Sequence, residues 1–130
     1  PGDERARLVQ LLDSSYTKIG RLAAKIKVPA ALASSHQSAS LAAKSYRHTR
    51  ATLEQAEKKQ QAATGRTEAM HAMTEVSQAR MAVKQAEIKA SFSLLVLGRE
   101  CVQANYVPPG AEREFEEIQR LQTQLHSDSI

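Results

Sequence analysis

The clearest hint of chemistry in this chain is Glu68-Ala69-Met70-His71, which places a carboxylate and an imidazole one helical turn apart, with Glu75 one turn further along. Di-iron carboxylate bundles use this Glu-x-x-His spacing, but they close two such pairs and further bridging carboxylates around two ions. Only half of that set exists here. The four histidines are His36, His48, His71 and His126, and His71 alone follows a glutamate by three residues. Glu68 and His71 therefore read as a surface pair, and no metal or other cofactor is expected.

Nucleophilic chemistry has even less support. Cys101 is the single cysteine, so no intramolecular disulfide can form. It lies among Leu97, Val102 and Tyr106 with no histidine or second cysteine close in sequence, which predicts a buried, inert thiol. No serine sits in a Gly-x-Ser-x-Gly turn, and neither a phosphate-binding glycine loop nor a zinc spacing occurs. The expected protein is not an enzyme.

Charge suggests binding instead. The chain carries 18 Lys and Arg against 14 Asp and Glu, a net charge of +4, unevenly spread. Residues 28–66 hold six basic and two acidic side chains, whereas residues 108–130 hold two and five. If the first two helices run antiparallel about Pro29, Lys18, Arg21 and Lys25 approach Lys44, Arg47 and Arg50 and make one basic end. An acidic protein surface or an anionic membrane would suit such an end, although the cations do not form a polybasic run. Recognition of single-stranded nucleic acid stacks bases on aromatic rings, and two Phe, three Tyr and no Trp supply few. Phosphate contacts to a duplex are the remaining route to nucleic acid, the least favoured of the three partners.

The elements that must position these residues are helices. Between Pro29 and Pro108 there is no proline, and glycine occurs only at Gly65 and Gly98. Ala, Gln, Lys, Glu, Met and Leu dominate the stretch, and these residues favour helix over strand. The fold class is all-α, a single domain forming an elongated antiparallel helical bundle or coiled coil. A long central helix at about 30–104, with a possible break at Gly65, is flanked by helices at 3–27 and 110–126.

Helix one is marked by Leu8, Leu12, Ser15, Ile19, Leu22 and Ile26, an a/d seam of alternating four- and three-residue steps. Asp3 and Glu4 at its start and Lys25 and Lys27 at its end follow the helix dipole. Helix two carries Leu32, Ala39, Ala42, Tyr46, Leu53, Ala56 and Ala63 on one face. Its first residues, Ser34 to Ser38, suit a frayed turn better than a helix. The last helix presents Phe115, Ile118, Leu121 and Leu125, and Ser127 to Ile130 form a polar tail expected to fray.

Gly65 decides the architecture. With Thr67 as N-cap it could divide the central stretch into a hairpin of 34–63 and 67–104, completing an up-down four-helix bundle. Without a break, one helix would span about 110 Å. The sequence favours the continuous helix, because Gly65 has no second breaker beside it and good helix formers flank it on both sides.

In the last part of this stretch Met73, Val76, Val83, Ala90, Leu94, Leu97 and Cys101 share one face, and Ile88, Phe92, Leu95 and Val102 an adjacent one. Two apolar faces imply two neighbours. The C-terminal helix would be one, and a symmetry mate or foreign helix the other. A homodimer is expected, with Met70, Met73, Val76 and Val83 in the dimer or partner seam, and Met81 adds adaptable packing. The most apolar window, Phe92 to Leu97, is far too short for a membrane span, and the expected compartment is the cytoplasm. These features suit a scaffold or adaptor that binds another protein through an exposed helix face.

Overall fold

The computed structural model describes residues 2–129, which form four α-helices and no strand: α1 (Gly2–Ala24), α2 (Ala33–Ala62), α3 (Arg66–Gln103) and α4 (Glu112–Ser129). The all-α expectation holds, and the break at Gly65 is real. The continuous helix favoured by the sequence is corrected here to a hairpin, for two local reasons. Gly65 has a φ of +84°, a left-handed conformation that costs glycine little. The turn is also capped from the far side, where the Glu68 carboxylate accepts hydrogen bonds from both the N–H and the hydroxyl of Thr64, at 3.1 and 3.2 Å. The Gly65 carbonyl accepts the first α3 bond from the Ala69 N–H at 3.1 Å, so Thr67 is not the N-cap.

Other boundaries move for identifiable reasons. Helix α1 stops at Ala24 rather than Lys27, its end tightened by bonds from the Lys25 N–H to Leu22 and the Ile26 N–H to Ala23. A 3-10 turn at Ala30–Leu32 leads into α2, and Ser34 to Ser38 are helical rather than a loop. Leu32 and Ala39, buried on either side of them, pin the serine segment, so packing outweighs its weak intrinsic propensity. Ser127 to Ser129 continue α4 instead of fraying, and Ile130 lies outside the described residues.

A signal the sequence reading missed ends α3. Asn105 adopts a φ of +54°, the Tyr106 N–H bonds to the Cys101 carbonyl at 2.8 Å and the Asn105 N–H to Val102 at 3.1 Å. This is a Schellman motif with asparagine at the left-handed position. Beyond Gly110, Ala111 precedes α4 as its N-cap residue, its carbonyl accepting from the Phe115 N–H at 3.0 Å.

The chain divides into two units. One comprises the segments up to Ser40 and from Ser91 onward, and its core joins Tyr16, Ile19, Ala23, Leu32, Ala39, Leu97, Cys101, Ala111 and Ile118. Helix α1 packs along α4 and crosses α3 antiparallel to it. At that crossing a Cβ on Gly20 would lie 1.9 Å from the Leu94 carbonyl oxygen, and one on Gly98 would lie 1.8 Å from that of Tyr16. The two glycines thus face each other's helix and let the backbones touch. Gln122 of α4 donates to the Tyr16 hydroxyl at 3.1 Å, and the Arg99 guanidinium lies 5.7 Å from the centre of the Tyr16 ring.

The second unit, Leu41–Ala90, is the antiparallel hairpin of α2 and α3 around Gly65. Its small core consists of Ala56, Val76 and Ala79 with Leu53 packed against them. Ala72, Val76, Ala79, Val83, Ala86 and Ala90 follow steps of four and three along α3, all buried or half-buried. Lys59 and Glu75 join the two helices at 3.8 Å.

Candidate partner-binding surface

The Glu68 carboxylate is already engaged by Thr64, so its helical register with His71 serves the cap of α3. Glu68, His71 and Glu75 line an open groove of the hairpin with Lys59, Ala62 and Ala72, and Lys59 is the neighbour that Glu75 pairs with. Among the described residues no three His, Cys, Asp or Glu side chains come together to hold a metal ion. Cys101 is fully buried, as its sequence context predicts. Burial and the adjacent Glu100 push its thiol up to about 11, so it stays protonated at neutral pH.

The six cations of the expected basic end fall in different units. Lys18, Arg21 and Lys25 belong to the first, and Lys44, Arg47 and Arg50 to the second; all six are exposed. Lys18 lines a groove with Arg113, Glu114 and Glu117, and the Glu117 carboxyl is held below its usual range by its hydrogen bond from Arg120, with the Lys18 charge adding to it. Its charge is thus partly answered by α4. Arg50 lies 5.8 Å from the centre of the Tyr46 ring.

The four residues of the expected seam also separate. Val76 is 2% exposed and faces α2, and Val83 is half-buried on the same side. They serve the intrachain hairpin. Met70 and Met73, at 62% and 61% exposed, lie on the other side of the helix and leave the Val76 face on which Met73 is expected from sequence. Met81 and Ile88 join them at 62% and 64%. The sequence Met70, Met73, Ser77, Met81, Lys84, Ile88 advances by three or four residues at each step. At about 100° per residue these six share one stripe, opposite the buried alanine seam. Ile88 belongs to this stripe with the methionines, rather than to a face separate from Met73.

A helix with one apolar stripe against its neighbour and a second facing solvent has more apolar surface than its own chain covers. That second stripe is the candidate functional surface. Cations belong to it and border it. Arg66 and Lys84 lie within its arc and Arg80 at its edge, all exposed, and none is paired with a carboxylate among the described residues. Glu68 and Glu75 fall on the half turned toward α2, whereas Glu87, one heptad from Arg80, shares that residue's edge of the stripe.

Comparison with protein-family models, with curated proteins and with solved structures finds no match. No helix among the described residues is long and apolar enough to cross a membrane.

Proposed function

We propose that this protein is a non-enzymatic interaction module, an adaptor or scaffold, which holds a partner protein against the outer stripe of α3. The observation that carries this reading is the exposure of Met70, Met73, Met81 and Ile88 on one helix face, back to back with the seam that α2 covers. Methionine suits such a surface, since its flexible thioether adapts to differently shaped partners. The hairpin also gains from being covered, because its own alanine-rich core buries little apolar area.

The magnitudes favour a reversible contact. Burying what remains exposed of these four side chains contributes roughly 1–2 kcal/mol each. The sum, on the order of 4–8 kcal/mol, is close to the lower estimates of what association costs in lost freedom. Apolar contact alone therefore gives a weak complex, and charged or polar neighbours must supply the rest.

A second reading, a basic helical surface on an anionic membrane, draws on the nine Lys and Arg against five Glu in residues 41–90. It is the weaker one. That segment contains no Trp or Phe to insert among lipid headgroups, and its cations are dispersed.

The test is a photo-crosslinking amino acid placed at Met81 and, as a control on the hairpin's other helix, at Gln55, in cells that express the full chain. A protein crosslinked from position 81, absent from position 55 and lost on adding Met73→Asp and Ile88→Asp, is the expected result. Crosslinking that is equal at the two positions, or unchanged by the two substitutions, overturns the proposal.

A further inference from the structure

The charges of the hairpin identify the chemistry of its partner, an inference that rests on the docking role just proposed. All of the chain's net charge resides in Leu41–Ala90, with nine Lys and Arg against five Glu, while the rest of the molecule balances at nine and nine. Within α3 the asymmetry sharpens. Between Arg66 and Ala90 the Met/Ile stripe and its edge carry Arg66, Arg80 and Lys84 against Glu87 alone, because Glu68 and Glu75 are turned toward α2, where Glu68 caps the helix and Glu75 pairs with Lys59.

From this arrangement we infer that the stripe docks an acidic amphipathic helix of a partner protein, its apolar residues on Met70, Met73, Met81 and Ile88 and its flanking Glu or Asp on Arg66, Arg80 and Lys84. The distance from Met70 to Ile88 is about 27 Å along the helix, so a partner helix of some 18 residues covers it. Apolar anchors at steps of three and four are how one helix reads another. Complementary charge then raises the association rate and sets the partner's identity.

A second copy of this chain fits the same face poorly. Placing α3 on α3 through the stripe sets Arg66, Arg80 and Lys84 of each copy among the cations of the other, with Glu87 alone in this stretch of each copy to answer them.

The experiment uses the full chain with methyl-labelled methionine and two synthetic helical peptides of about 20 residues. Both have leucine at the a and d positions; one carries glutamate at the flanking positions, the other lysine. The glutamate peptide is expected to shift the Met70, Met73 and Met81 methyl signals, to bind at least about tenfold more tightly than the lysine peptide, and to weaken with added salt. Arg80→Glu with Lys84→Glu should reverse the preference while far-UV circular dichroism stays unchanged. Equal shifts from both peptides would overturn the acidic chemistry and leave the docking face standing. No methionine shift from either peptide would overturn both. Binding to phosphatidylserine vesicles with no response to the glutamate peptide would overturn the proposal in favour of a lipid surface. Concentration-dependent dimerisation abolished by Met81→Asp would overturn it in favour of a second copy.

Discussion

Replacing Gly98 by alanine adds one methyl group at the place where α1 and α3 touch. The new Cβ would sit 1.8 Å from the Tyr16 carbonyl oxygen, 2.7 Å from its carbonyl carbon and 3.0 Å from the Gly20 nitrogen. All three are backbone atoms, so no rotamer change relieves the clash. The helices must separate by at least about 1 Å, a gap that forfeits roughly a quarter to a half of each dispersion contact across it. Ile19, Leu97 and Cys101, fully buried in the same core, lose packing together. Overpacking of this severity belongs at or above the upper end of the usual range, about 3 kcal/mol. Alanine returns about 1 kcal/mol through its better helix propensity. The net loss is about 2 kcal/mol or more, which lowers the urea midpoint by about 1 M, followed by far-UV circular dichroism. Gly2→Ala is the control, since nothing lies within 4 Å of its added Cβ. A Gly98→Ala protein as stable as the parent, or more so, would refute the backbone contact between α1 and α3.

Gly65→Ala should cost about 1–2 kcal/mol and Gly65→Asn less, because the position is open and only its φ of +84° opposes a side chain; thermal melts of the two variants give the order. Tyr16→Phe removes the bond from Gln122 while keeping the ring beneath Arg99, and a loss of about 1 kcal/mol in denaturant titration is expected. The Cys101 thiol should ignore a disulfide reagent at mildly alkaline pH in the folded protein and react once urea unfolds it. With a folded pKa near 11 against an ordinary 9.0, the folded state keeps a proton that the unfolded state releases. The thiol's contribution to stability is therefore whole below about pH 9 and shrinks as pH rises toward 11. Cys101→Ala should flatten that part of the stability profile, and an unchanged slope would count against the shifted thiol.

Much of the candidate surface was hidden from a one-dimensional reading. Met70, Met73, Val76 and Val83 look alike as apolar residues along a helix, and nothing in their order says which neighbour each one meets. Val76 turned out to face α2, whereas Met70 and Met73 face solvent. The Glu-x-x-His spacing was legible, but its carboxylate caps the turn at Thr64. Gly20 and Gly98 are legible in the sequence as glycines inside helical patterns, a sign of close backbone approach.

By itself, the sequence determined the class of fold and the inward faces of α1, α2 and α4. Alanine-rich composition and the absence of proline favoured helix throughout, and steps of three and four named Leu8, Ile19, Ala39, Ala56, Ile118 and Leu121, all of which are buried. The folded structure decided that the chain turns back at Gly65, because one glycine is a small penalty in a helix and it takes the Glu68 cap on Thr64 together with the packing of α2 on α3 to convert it into a hairpin. It also decided which of the two apolar stripes of α3 is covered. Helical periodicity defines faces, but burial depends on what stands opposite, and only the folded chain brings α2 to one stripe and leaves the other to solvent.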